Sequence, residues 1–422
     1  FPALLGLGEK DLQLDEKFRA EQVKVYERLA VGNFSAALLI GNVLIKDGKI
    51  SEYKDGMFEG LHILAENKYF VMKTLTPARR IDLRSQRERG NNFIYVNAVC
   101  MADESIYAGG SFAKNAAGEI VYQAPLCEEA IKIIDFASPL TPALSRGERE
   151  QQVIDVMTFA LCEYCENTGL KKVVIGLSGG IDSALTAALA VKALGKDNVF
   201  GVLMPSMYSS EGSVTDALAL AQNLGIKTVK HAITPLFENF MNEVVHERHS
   251  GLAEENLQAR LRMLIVMFYS NRDGYLMLST GNKSESAMGY GTLYGDLAGG
   301  LNLVADLTKT NVYKVADYIN KDGEIIPQNT ITKAPSAELK PGQKDRDSLP
   351  EYAILDDIIE MYFEQNLPHE QIYAKYGQAL VDDVIKRVYR AQFKRKQCGL
   401  GIRLTERAFS RGINLPVVQK FY

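Results

Sequence analysis

No stretch of this 422-residue chain approaches the ~20 consecutive apolar residues that a membrane-spanning helix needs. No cationic excess is present either: the formal net charge is −4, so no global basic field recruits nucleic acid. Five cysteines are scattered without framework spacing, an odd number that points to reduced thiols in a cytoplasmic setting. The chain opens at Phe1-Pro2, and no signal-peptide pattern is read there. A protein with neither a membrane nor a nucleic-acid partner is expected. A zinc site is not expected. Cys162-x-x-Cys165 has no second pair and sits in a helical apolar pattern, and His246-x-x-His249, beside Glu243 and Glu247, reads as a solvated helix end. No repeat of fixed period is found.

What is present is globular. Hydrophobic residues make up 46% and charged residues 24%, enough apolar surface for a substantial core, and the length suits two or three domains. Residues 1–137 read as β-rich, with strands at Phe34–Ile45 and Phe93–Val99 and a hairpin from Gly109-Gly-Ser-Phe112 to Ile120–Gln123. Ser138 to Glu150 carries two prolines, a glycine, hydroxyls and charges without periodicity, so a linker is expected at 138–150. From Gln151 onward, helices (151–167, 182–194, 211–224, 254–270) alternate with strands (172–177, 199–204, 228–232, 275–279). That alternation predicts an α/β fold with a doubly wound parallel sheet over 151–422. Ligands of such sheets gather beyond the carboxyl ends of the strands, so those loops carry the chemistry.

The loop after the first of these strands is Gly176-Leu-Ser-Gly-Gly-Ile-Asp-Ser183. Adjacent glycines let backbone amides approach an anion, Ser178 and Ser183 add hydroxyl donors, and the helix start adds partial positive charge. The lysine of a Walker loop is missing. Asp182 stands in the first helical turn instead, and a carboxylate facing a pyrophosphate implies an intervening Mg²⁺.

These residues resemble the signature of the pyrophosphatase-loop ATP enzymes. The other strand-end motifs narrow the resemblance: Met204 to Gly212, Glu255 to Arg260, Ser279 to Glu285, Gly289 to Asp296, Asp306 to Lys309, Lys333 to Glu338 and Asp347 to Pro350. In this order they resemble those of NAD synthetases of the two-domain, glutamine-dependent branch. The resemblance implies an adenine-nucleotide alpha-hydrolase-like fold. It also implies ATP contacts from Gly176, Leu177, Ser178, Gly179, Gly180, Ile181, Asp182, Ser183, Thr280, Lys309 and Ser336. Asp182 and Glu285 would hold Mg²⁺, and Asn256, Arg260, Glu285, Asp296 and Lys394 would face deamido-NAD. Asp182, Glu285 and Lys309 would form the catalytic set. The implied reaction adenylates the nicotinate carboxylate of deamido-NAD, releasing pyrophosphate, and ammonia then displaces AMP. Lys340-Pro-Gly-Gln-Lys344 reads as a cationic flap over the triphosphate. A homodimer or higher homo-oligomer is the family expectation.

Residues 1–137 resemble the nitrilase-like domain that supplies ammonia from glutamine in that branch, in shortened form. Phe1-Pro2-Ala3-Leu4 matches a strand end whose third residue is normally the general-base glutamate, and Asp55 falls at the usual lysine position. The stretch bearing the nucleophilic cysteine is not found. The expectation is a degenerate glutaminase, with ammonia taken from solution or from a separate ammonia-supplying protein. The alternatives are a working glutamine-dependent enzyme using residues beyond those given, another pyrophosphatase-loop ligase, and a nucleotide-binding pseudoenzyme.

Overall fold

The computed structural model describes residues 38–40, 43–46, 49–52, 57–58, 61–66, 72, 92–97, 99–128, 149–245 and 251–420. They divide into two compact units, the first within Phe1–Tyr69, Thr76–Val99 and Tyr107–Ser145, the second within Phe70–Leu75, Cys100–Ile106 and Arg146–Tyr422. Ala3, Asp55, His246 and His249 lie outside the described residues, as does the expected linker apart from Arg149 and Glu150, which begin a helix.

In the first unit, β1 (Leu38–Ile40), β2 (Val43–Lys46) and β3 (Lys49–Glu52) form an antiparallel meander. The single strand expected at Phe34–Ile45 is therefore two short strands folded back on each other, Leu39 opposite Leu44. A five-stranded mixed sheet contains β4 (Met57–Phe58), β5 (Leu61–Glu66) and β6 (Asn92–Asn97). β7 (Val99–Ala102) and β8 (Ser105–Ala108), of which Cys100–Ile106 group with the second unit, form a separate two-stranded pair, and the five-stranded sheet is completed by β9 (Phe112–Lys114) and β10 (Ile120–Gln123). β5 and β6 run parallel, and β9 and β10 form the expected hairpin. Along β6, burial alternates with the two-residue period of a strand, which sends Phe93 and Tyr95 inward onto Phe112.

The second unit is built on six parallel strands in the order β13-β12-β11-β14-β15-β16. Helix α1 (Arg149–Thr168) precedes β11 (Val173–Gly176), whose Val173, Val174 and Ile175 are completely buried, as a strand covered on both faces requires. Helix α2 (Ile181–Leu194) follows, then β12 (Val199–Leu203), α3 (Glu211–Leu224) and β13 (Lys227–Lys230). Ser210 caps α3 by accepting from the Ser213 amide, and Gly225 ends it in the left-handed conformation. Helix α4 (Thr234–Val244) is not among the four helices of the expected alternation; Pro235 occupies its first turn, where a missing amide costs nothing.

The chain then returns to the other side of β11. Helix α5 (Leu252–Asp273) leads to β14 (Leu276–Ser279), α6 (Lys283–Met288), β15 (Leu301–Asn302) and α7 (Lys309–Ile319). Strand order thus reverses between β11 and β14, which opens a crevice at their carboxyl ends. After α8 (Tyr352–Ile359), α9 (His369–Tyr376) and α10 (Gln378–Arg390), strand β16 (Leu400–Gly401) closes the sheet. Leu355, Ile359, Ile372 and Ile385 of these helices form a separate apolar core against Ala287 and Met288 of α6. That packing braces α6, which brings Glu285 to the crevice.

Candidate functional site

At the end of β11 the backbone turns sharply enough that Gly179 takes φ +78°. A Cβ built there would lie 2.1 Å from the Ser213 carbonyl oxygen, so only glycine fits. Ser178 Oγ accepts from the Gly180 amide at 3.1 Å and lies 3.1 Å from Ser183 Oγ, which donates to the Gly180 carbonyl at 3.0 Å. These contacts hold the loop open at the start of α2. A site for an anion results, with glycine amides, two hydroxyls and a helix N-terminus converging.

Three charged groups meet beside it. Lys309 Nζ lies 2.6 Å from Asp182 Oδ2 and 3.1 Å from Glu285 Oε1. Asn282 donates to Asp182 Oδ1 at 2.8 Å, and its own Oδ1 caps α6 by accepting from the Glu285 amide at 2.9 Å. One asparagine thereby fixes both carboxylates, which lie far apart in sequence. Burial pushes the Glu285 carboxyl up to about 7, aided by the Asp182 charge and opposed by Lys309. Burial alone would lower the Lys309 pKa, but Asp182 and Glu285 carry it well above the usual lysine range. Two carboxylates against one ammonium leave the cluster short of positive charge, and its oxygen donors suit a hard divalent cation whose remaining ligands come from phosphates. Among the described residues no cluster of three or more His, Cys, Asp or Glu side chains forms a complete protein cage.

A cavity of about 570 Å³ extends from this cluster across the crevice. It is lined by Gly176, Leu177, Ser178, Gly180, Ile181, Asp182, Ser183, Thr280, Glu285, Lys309 and Ser336, all expected from the sequence. Asn256, Asp296 and Lys394 line it too. Asn256 Oδ1 accepts from the Thr292 hydroxyl at 2.8 Å, and Asp296 Oδ1 accepts from the Thr292 amide at 2.9 Å. Burial raises the Asp296 pKa and lowers that of Lys394, whose Nζ donates to the Gly289 and Gly291 carbonyls. Gly179 shapes the loop from behind without lining the cavity. Arg260 is exposed, with Nε on the Leu293 carbonyl at 3.2 Å, and is not among the lining residues.

The far wall is the segment that contains the expected flap. Glu338, at φ +48°, accepts from the Ser210 amide and from the Ser210 and Ser213 hydroxyls. Ser336 Oγ donates to the Gln343 carbonyl at 2.6 Å, and the Leu339 amide donates to Gln343 Oε1 at 2.8 Å. Lys340 sits 3.6 Å from Glu255.

Among the site residues that escaped the sequence reading, four stand out by their contacts. Asn282 lies inside a quoted motif, and its N-cap position three residues before Glu285 is the signal that could have singled it out. Asp345 is buried and accepts from the Tyr290 and Tyr352 hydroxyls, and the Tyr352 ring lies 5.3 Å from Lys309 Nζ; no local pattern announces either residue. Arg262 lines the cavity one residue beyond the quoted Glu255–Arg260 motif and its neighbour.

Known proteins resemble this chain in sequence and fold. The NAD synthase family pattern matches residues 153–398. A glutamine-dependent NAD(+) synthetase of Synechocystis sp. is 43% identical over 345 residues, covering 78% of this chain, and the chain spans 61% of that relative's length. The corresponding Thermotoga maritima protein is 38% identical over 411 residues, covering 86% of this chain and 71% of its own. Among solved structures, a glutamine-dependent NAD+ synthetase from Acinetobacter baumannii in complex with ADP superposes with TM-score 0.64 at 30% identity, over 97% of this chain and 90% of that one. These relatives are named for glutamine, so they favour the glutamine-dependent alternative over the ammonia-only reading and lend no support to a disarmed first half. The chain belongs to the NAD synthase family.

Proposed function

We propose that this chain is an ATP-consuming ligase that amidates deamido-NAD to NAD, with residues 151–422 forming the synthetase part. The observation that carries this reading is the cluster of Lys309, Asp182 and Glu285, tied together by Asn282 beside the glycine loop. The glycine amides, Ser178 and Ser183 take the ATP phosphates, and Thr280 and Ser336 contribute further ATP contacts. Asn256, Asp296 and Lys394 face the dinucleotide, and Arg260 contributes from the rim.

The acceptor carboxylate oxygen attacks the α-phosphorus, the bond to the β-phosphate oxygen breaks, and pyrophosphate leaves. Ammonia nitrogen then adds to the acyl carbon, a proton is lost and AMP departs. A free carboxylate is a poor electrophile, so the adenylate is needed to provide a leaving group. This chain's residues act by positioning and by neutralising charge rather than by a covalent intermediate. Lys309 stands where negative charge shifts onto the departing phosphates. Asp182 and Glu285 would hold Mg²⁺, which when bound neutralises the triphosphate and the leaving pyrophosphate. The ADP complex of the Acinetobacter relative supports an adenine nucleotide here.

Glutamine is the nitrogen source that the relatives favour. The test is NAD formation by this chain with glutamine or with ammonium chloride. Activity with both supports the full reading, activity with ammonium alone returns the question to the first half, and activity with neither contradicts the ligase assignment.

A further inference from the structure

The lining of the cavity contains four cationic side chains, Arg262, Lys309, Lys333 and Lys394. Two are neutralised by carboxylates: Lys309 by Asp182 and Glu285, and Lys333 by Asp216 at 2.9 Å. Lys394 is satisfied by two backbone carbonyls. Arg262 is different. Its Nε donates to the Met204 carbonyl at 3.1 Å, just beyond β12, and its terminal nitrogens have no acceptor among the described residues. Asp296 and Glu338 are the carboxylates whose charge it feels, yet neither pairs with it. Asp296 is held by the Thr292 amide, and Glu338 by the Ser210 amide and by the Ser210 and Ser213 hydroxyls. Burial pulls the Arg262 pKa down to about 10, which still leaves it charged at neutral pH. A guanidinium anchored through Nε presents its two terminal nitrogens as a planar fork that matches phosphate or carboxylate oxygens.

We propose that Arg262 is an anion-binding residue of the cavity, its free fork taking a phosphate or carboxylate group of a bound nucleotide. The inference rests on the ligase reading for the identity of the nucleotides, but binding alone tests it. Titration calorimetry of wild type, Arg262→Met and Arg262→Lys with Mg-ATP alone and with deamido-NAD alone separates the two sources of the anion, and thermal melts check the fold.

The expected result is a loss of about 10-fold or more in affinity for one nucleotide, with the other within about two-fold, because a charge-assisted pair is removed. Lysine does not restore it, since a single ammonium cannot reproduce the fork. Unchanged affinity for both nucleotides, or an equal loss for both that tracks a lowered melting temperature, overturns the proposal. Wild type that binds nucleotides but makes no NAD would contradict the ligase reading and leave the Arg262 result standing. Wild type that binds neither nucleotide would overturn both.

Discussion

Lys309 Nζ and Asp182 Oδ2 lie 2.6 Å apart, although the two residues come from helices that follow different strands of the sheet. The Lys309 side chain is almost fully buried and also touches Glu285. Removing its charge leaves two carboxylates facing each other out of water. Lys309→Met should therefore lower stability by about 3–5 kcal/mol and slow adenylation by about 10²–10⁴. Denaturant titration and single-turnover kinetics read the two effects. The double variant with Asp182→Asn should cost less stability than the sum of the single changes.

A second buried ammonium is structural. Lys283 is wholly buried, 2.7 Å from Asp306 and 2.9 Å from Glu364, and it donates to the Thr405 hydroxyl at 2.9 Å. It ties α6 to the segment after β16. Lys283→Met should destabilise the unit by about 3–5 kcal/mol, because it strands buried carboxylates. Adding Asp306→Asn and Glu364→Gln should recover part of that loss in a thermal melt.

Gly179 is the tightest point of the glycine loop. Gly179→Ala combines a left-handed backbone with a clash against the Ser213 carbonyl, so the loop must shift away from α3. ATP affinity measured by calorimetry should drop by about 10-fold or more, since the converging amides lose their common target. Gly118→Ala, at a left-handed position with nothing within 4 Å, is a control for backbone strain alone.

Cys165 is buried on α1, and burial, with Cys162 and Glu166 adding negative charge, pushes its thiol up to about 11. An acid with a raised pKa holds its proton to higher pH. At pH 8 the reactive thiolate is thus only roughly 10⁻³ of the total, rising about ten-fold per pH unit. Alkylation of Cys165 by iodoacetamide, followed by mass spectrometry, should be slow at pH 8 and speed up toward pH 11. Rapid labelling at pH 8 would contradict the structural reading of the Cys162-x-x-Cys165 pair.

The glycine loop is legible in the sequence because an apolar strand, paired glycines and a helix start are all local signals. The alternation of helices and strands likewise reveals the parallel sheet. The convergence of Lys309 on Asp182 and Glu285 is not local: it depends on the switch of strand order between β11 and β14, which no short window contains. The resemblance points to Arg260, but residues two apart on a helix are separated by about 200°, so Arg262 faces the cavity while Arg260 meets solvent. The expectations for Ala3 and Asp55 lie outside the described residues.

The most direct test of the ligase account is isotope exchange between labelled pyrophosphate and ATP. With Mg²⁺ present, exchange should occur only when deamido-NAD is added, needing neither glutamine nor ammonia, and Asp182→Asn should abolish it. Exchange independent of deamido-NAD, or none at all in a sample that binds both nucleotides, would contradict it.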